Sequence, residues 1–197
     1  MTTFNTRGGY GIFERYLERS ILWKKREGCQ LTVIDYPPDK AVPSWSWMAY
    51  NGPIDYLDMP FDMVDWTKDY VSPLGDTMES DKTDTSRQSK GAATSPVLKS
   101  AQARRLLAGA ELSALHHLVF DRQELAPDQI NHISCIVFGK KKSNPDQAPS
   151  SIADAVNYVL IIEPWREKGE NAYRRAGVGT LPGERIDWTV TESVEVY

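Results

Sequence analysis

The chain has 197 residues, of which 41% are hydrophobic and 25% charged, with a formal net charge of -4. This is the balance of an ordinary globular domain, long enough for one sizeable core and short for two. The acidic balance argues against a nucleic-acid partner, and the basic runs Lys24-Lys25-Arg26, Arg104-Arg105 and Lys140-Lys141-Lys142 sit apart, at the ends of expected elements.

No run of about 18 apolar residues occurs, so no membrane-spanning helix is expected. The polar start, Met1 to Gly11, lacks the apolar centre of a signal peptide. Cys29 and Cys135 do not make a disulfide framework, so both are expected reduced and the compartment cytoplasmic.

In chain order, Ile12, Phe13, Tyr16, Leu17, Ser20, Ile21 and Trp23 follow helical spacing with charges between them, which predicts a helix over 11–26. Gly28 is a plausible stop, and Lys24, Lys25 and Arg26 suit a helix C-terminus. Leu31-Thr32-Val33-Ile34 reads as a short strand closed by Pro37-Pro38. In the segment from Pro43 to Ile54, an extended chain would place Trp45, Trp47 and Ala49 on one face, with Asn51-Gly52 turning into a second strand. The expectation is a core hairpin anchored by two indoles. Met63 to Val71 supplies a third run.

From about Ser72 to Pro96 periodicity is lost, and so little is apolar that a flexible insertion (72–96) is expected. Residues 98–118 are rich in alanine and leucine, which favours helix by propensity. Ile133 to Phe138, Ala155 to Ile162, Tyr173 to Leu181 and Val190 to Val196 read as strands, the second covered on both faces. Together these predict a single mainly β domain (α+β) over 1–197. Its architecture is an antiparallel β-sandwich or partly closed barrel with one N-terminal helix.

The chemical constellations are sparse. His132 and Cys135 have ligand-pair spacing for a helix, but in a strand their side chains diverge and Cys135 joins the core. Asp55, Asp58, Asp62, Asp65 and Asp69 follow Trp45 and Trp47 and flank Trp66, and these indoles beside paired carboxylates are what a glycosidase or carbohydrate-binding protein would use. The simpler reading is a solvated acidic rim. Gly177-Val178-Gly179-Thr180 lacks the third glycine and lysine of a phosphate loop, so these glycines are expected to permit a bulge or a close strand approach. In extended Tyr173 to Gly179, Arg174 shares a face with Ala176 and Val178. It is therefore expected to turn inward and pair with Glu163, leaving Arg175 outside. No catalytic, cofactor-binding or metal-binding residue is nominated.

One block is specific enough to carry a resemblance. Pro43-Ser44-Trp45-Ser46-Trp47, followed by Gly52-Pro53-Ile54, resembles the segment after the N-terminal domain of fungal heterokaryon-incompatibility (HET) domain proteins. Gly11 to Arg15, Leu22-Trp23, the Phe120-Asp121 pair, Cys135 to Gly139, Tyr158 to Pro164 and Tyr173 to Gly179 are similar to the same family in the same order. The Tyr-x-x-Leu-Ser-Tyr-x-Trp-Gly-like and Asp-x-x-Cys-Ile-Asn-Gln-like blocks of the HET domain itself do not occur. The resemblance is therefore to the C-terminal region, and it implies that residues 98–118 form two strands, interrupted near Gly109, ahead of Phe120-Asp121. It implies a non-enzymatic accessory or interaction domain with protein partners, acting in nonself recognition and programmed cell death.

Overall fold

The computed structural model describes residues 8–60, 62–74, 96–107, 117–122, 132–142 and 155–197. The chain opens with a minimal hairpin, β1 (Gly8–Gly9) and β2 (Ile12–Phe13), turned at Tyr10 and Gly11, both at positive φ. A single 3-10 turn, Glu14–Tyr16, leads into α1 (Leu17–Ile21), and β3 (Trp23–Lys25) follows directly. β4 (Thr32–Val33) pairs with β5 (Tyr50–Asn51), and β3 pairs with β6 (Ile54–Tyr56).

Two expectations need correction here. The helix expected over 11–26 is only the five residues of α1. The backbone carbonyls of Ile21 and Trp23, which a continuing helix would use for its own ladder, instead accept hydrogen bonds from the distant Arg175 guanidinium. Trp45 and Trp47 do not share a strand face. Trp45 lies in a turn and is fully buried, while Trp47 opens a 3-10 turn, Trp47–Ala49, capped by the Ser46 hydroxyl, and is half-buried. Nor do the strands flanking Asn51-Gly52 form a hairpin, since β5 and β6 pair with different partners. Pro53 lacks the donor a tight hairpin needs there, and its carbonyl goes to the Arg26 N–H.

The remaining strands are β7 (Val64–Trp66), β8 (Tyr70–Val71), β9 (Leu98–Arg105), β10 (Leu118–Phe120), β11 (Ser134–Lys141), β12 (Val156–Pro164), β13 (Ala172–Pro182) and β14 (Glu192–Val196). The sequence β9-β11-β12-β13-β14 returns to β9, so five strands close into a barrel. All its pairings are antiparallel except β13 with β14. Closure removes the free edges that an open sheet would expose. β7, β8 and β10 add to the outer pairings of β11, β9 and β13. The protein is thus mainly β, with one short helix. Leu98 to Arg105 is a strand; the break expected near Gly109 and residues 75–95 of the insertion expected over 72–96 lie outside the described residues.

Two cores cover the two faces of β12. One draws on every barrel strand, with Leu98, Phe138, Leu160, Val178 and Val194 among its members, and the N-terminal segment adds Ile21, Leu22 and Trp45. The other holds Cys135, Val159, Ile161, Ala176, Leu181 and Ile186. The unbroken apolar run of β12 follows from this double coverage. Gly177 and Gly179 face β10 at close range: a Cβ at Gly177 would stand 2.5 Å from the Val119 carbonyl oxygen, and one at Gly179 would stand 2.8 Å from Leu118 Cα. The close strand approach expected of these glycines is what the fold uses.

Candidate functional site

The site is built where β13 carries an irregularity. Opposite Ile161 and Ile162 the register shifts by one residue, so that Ile161 pairs with Gly177 but Ile162 pairs with Arg175. The extra residue, Ala176, breaks the two-residue alternation. Ala176 therefore joins one core and Val178 the other, and Arg175 is turned into the protein. The expected orientation of the two arginines is inverted. Arg175, not Arg174, is the buried one, because the bulge flips every face assignment on its N-terminal side.

Arg175 has no exposed side-chain surface, and four of its five guanidinium N–H groups have a partner among the described residues. Its Nε lies 2.8 Å from Asp121 Oδ2, and its Nη2 lies 3.3 Å from Oδ1. Nη1 donates to the Ile21 carbonyl at 2.8 Å, Nη2 also donates to the Trp23 carbonyl, and the guanidinium stacks 3.4 Å over the Trp23 ring. Its backbone N–H donates to Ser44 Oγ at 2.9 Å. A buried ion pair needs hydrogen bonds for its remaining donors, and here two backbone carbonyls take two of them while an aromatic face covers the cation. Asp121 comes from the end of β10, Trp23 from β3 and Ser44 from the loop ahead of Trp45. One guanidinium thus fastens the N-terminal segment to the barrel.

Next to it, Arg174 and Glu163 stand opposite each other in register, with Nε 2.6 Å from Oε1. This is the pairing the sequence suggests. Arg122 also reaches Glu163 Oε1, at 3.5 Å. The three side chains edge a cavity of about 180 Å³ whose apolar wall includes Val33, Ile34, Val42, Phe120 and Trp165. Tyr50 also lines it. Burial, with the nearby Asp121 charge adding, holds its hydroxyl proton well above the ordinary tyrosine range, so it stays a hydrogen-bond donor.

The other sequence candidates do not gather. Trp45 is fully buried and offers no face to a ligand, Trp66 packs against the core, and the Trp47 indole donates to the Gly11 carbonyl at 3.2 Å. Asp55 pairs with Arg26 at 3.2 Å, Asp65 lies in β7 opposite Lys140, and Asp58, Asp62 and Asp69 are exposed. His132 is exposed while Cys135 is buried, its thiol pushed up to about 12 by burial. Cys29 and Cys135 are both free thiols. Among the described residues no group of three His, Cys, Asp or Glu could hold a metal ion, and no helix is long and apolar enough to cross a membrane.

Fold and site together define a small five-stranded barrel with an N-terminal segment clamped to it by a buried arginine, beside a cavity of mixed character. The chain matches no family model, no curated protein and no solved structure.

Proposed function

We propose that this chain is a non-enzymatic interaction domain of the kind that follows the HET domain in fungal heterokaryon-incompatibility proteins, serving nonself recognition and the cell death it triggers. The supporting observation is that blocks carrying the resemblance, far apart in sequence, meet at one point. Trp23, Ser44, Asp121 and Arg175 itself belong to four of them and are in direct contact. Glu163, from a fifth, pairs with the neighbouring Arg174.

On this reading the structural work is done by Arg175, and recognition falls to the exposed rim around it, where Val33 is 70% exposed and Arg122 about half exposed. The test is genetic. A deletion of the gene, and a rim variant such as Arg122→Glu, are placed in the source strain and confronted with tester strains that differ at incompatibility loci. Loss or alteration of the cell-death reaction along the contact zone is expected. An unchanged reaction against every tester for the deletion would overturn the proposal.

A further inference from the structure

The cavity beside Arg175 has a chemistry that goes beyond that reading and does not rest on it. Three guanidiniums (Arg122, Arg174 and Arg175) and two carboxylates (Asp121 and Glu163) line it, which leaves a surplus of one positive charge. Arg175 and Asp121 neutralise each other and are closed off from solvent. The surplus therefore belongs to Arg122 and Arg174, which share the single carboxylate oxygen Glu163 Oε1. A guanidinium carries five N–H donors, and of Arg174 only Nε is engaged among the described residues. Among the described residues its two terminal nitrogens and part of the Arg122 fork have no partner and can bind something else. A planar fork of this kind is matched best by a carboxylate, which it can grip with two parallel hydrogen bonds.

The rest of the cavity selects against a bare anion. Val33, Ile34, Val42, Phe120 and Trp165 form a wall that gains nothing from a small hydrated ion but gains from burying a hydrocarbon body. The size narrows the choice. At about 180 Å³ the cavity is only somewhat larger than one of about 150 Å³ that accepts a benzene molecule, and smaller than the roughly 300 Å³ where drug-sized ligands begin. We propose that it binds a small organic acid: a carboxylate joined to a single aromatic ring or a branched aliphatic body. The carboxylate sits on Arg174 and Arg122, and the body lies against Phe120, Trp165 and Val33. Tyr50 lines the same cavity.

Calorimetric titration of the purified chain with phenylacetate, phenylacetamide and acetate tests this. Phenylacetate should bind, with phenylacetamide and acetate each weaker by about tenfold or more, because a site built for a charged partner rejects the analogue lacking it. Arg174→Gln and Arg122→Gln should each weaken phenylacetate by a similar factor while leaving weak phenylacetamide binding unchanged. Equal binding of acetate would reduce the site to a surface anion contact, and equal binding of phenylacetamide would reduce it to an apolar hollow. Tighter binding of a short peptide ending in Phe with a free carboxylate would assign the cavity to a protein terminus. Each of these results, or no binding of phenylacetate at millimolar concentration, overturns the proposal. Since the ligand selectivity is read on the unaltered protein, a poorly folding arginine variant does not blunt the test.

Discussion

Replacing Arg175 with alanine is the sharpest test of how the molecule is held together. The substitution removes both hydrogen bonds to Asp121, those to the Ile21 and Trp23 carbonyls, and the stacking on Trp23. It also leaves the Asp121 carboxylate, only 4% exposed, without its counter-charge. Breaking one side of such a buried pair costs about 3–5 kcal/mol, mostly from the stranded charge. For a chain of this size that is a fall in Tm on the order of 10 °C. Arg174→Ala supplies the contrast: its side chain is one-third exposed, and losing its pair with Glu163 should cost within about 1 kcal/mol. Urea unfolding followed by tryptophan fluorescence reads both, with the slope checked for constancy. The double variant Arg175→Met with Asp121→Leu strands no charge and should recover at least about 1 kcal/mol relative to the sum of the single losses. If Arg175→Ala loses less than about 1 kcal/mol, the carboxylate rehydrates freely and the clamp is no clamp.

Three more outcomes follow from the packing. Gly177→Ala places a methyl 2.5 Å from the Val119 carbonyl oxygen and should destabilise by about 1–3 kcal/mol or more; a neutral result in denaturant unfolding would mean that β10 moves away easily. Trp45→Ala should cost about 3–5 kcal/mol, and the half-buried Trp47→Ala clearly less; equal losses would contradict their different burial. Stability should also fall in alkali. Burial raises the Cys135 thiol from 9.0 to about 12, and burial together with the Glu192 hydrogen bond raises the Tyr173 hydroxyl from 10.0 to about 12. Between the lower and upper values the unfolded chain gives up protons that the folded chain keeps. The contribution is therefore complete below pH 9 and is lost as pH climbs towards 12. Cys135→Ala should flatten the first part of a plot of Tm against pH, and an unchanged plot would remove the thiol from the account.

β12 and β13 were legible in the sequence because their runs are long and covered on both faces, whereas β14 was legible from simple alternation, with Val194 and Val196 buried and the residues between them not. The N-terminal segment misled for a physical reason. Its 3.6-residue spacing from Ile12 to Trp23 is real, yet the chain leaves the helix at Leu22 to pair β3 with β6, and the Ile21 carbonyl goes to a guanidinium 154 residues away that no local pattern announces. The site was half legible. Register opposite Glu163 correctly selected Arg174 as its partner. The glycines did mark a bulge, and one falls at Ala176 beside Gly177, but the face assignment assumed strict alternation, and the one extra residue inverted the faces of Arg174 and Arg175. Asp121 could not be singled out by spacing, since it is tied to Arg175 across 54 residues.

The clamp has a consequence for how the chain is born. The Ile21 carbonyl waits for a guanidinium 154 residues downstream, and Ser44 for the Tyr197 carbonyl 153 residues downstream. A ribosome adding about 5–20 residues per second leaves Leu22, Trp23 and Trp45 without their final packing for on the order of ten seconds. Closing so long a loop comes late, because its entropy must be lost before the contacts it brings are gained. Vectorial synthesis therefore delivers the greasiest part of the N-terminal segment first and its cover last. Stalled nascent chains should keep residues 8–60 sensitive to protease until β13 has cleared the exit tunnel, and early protection of that segment would show that it folds unaided.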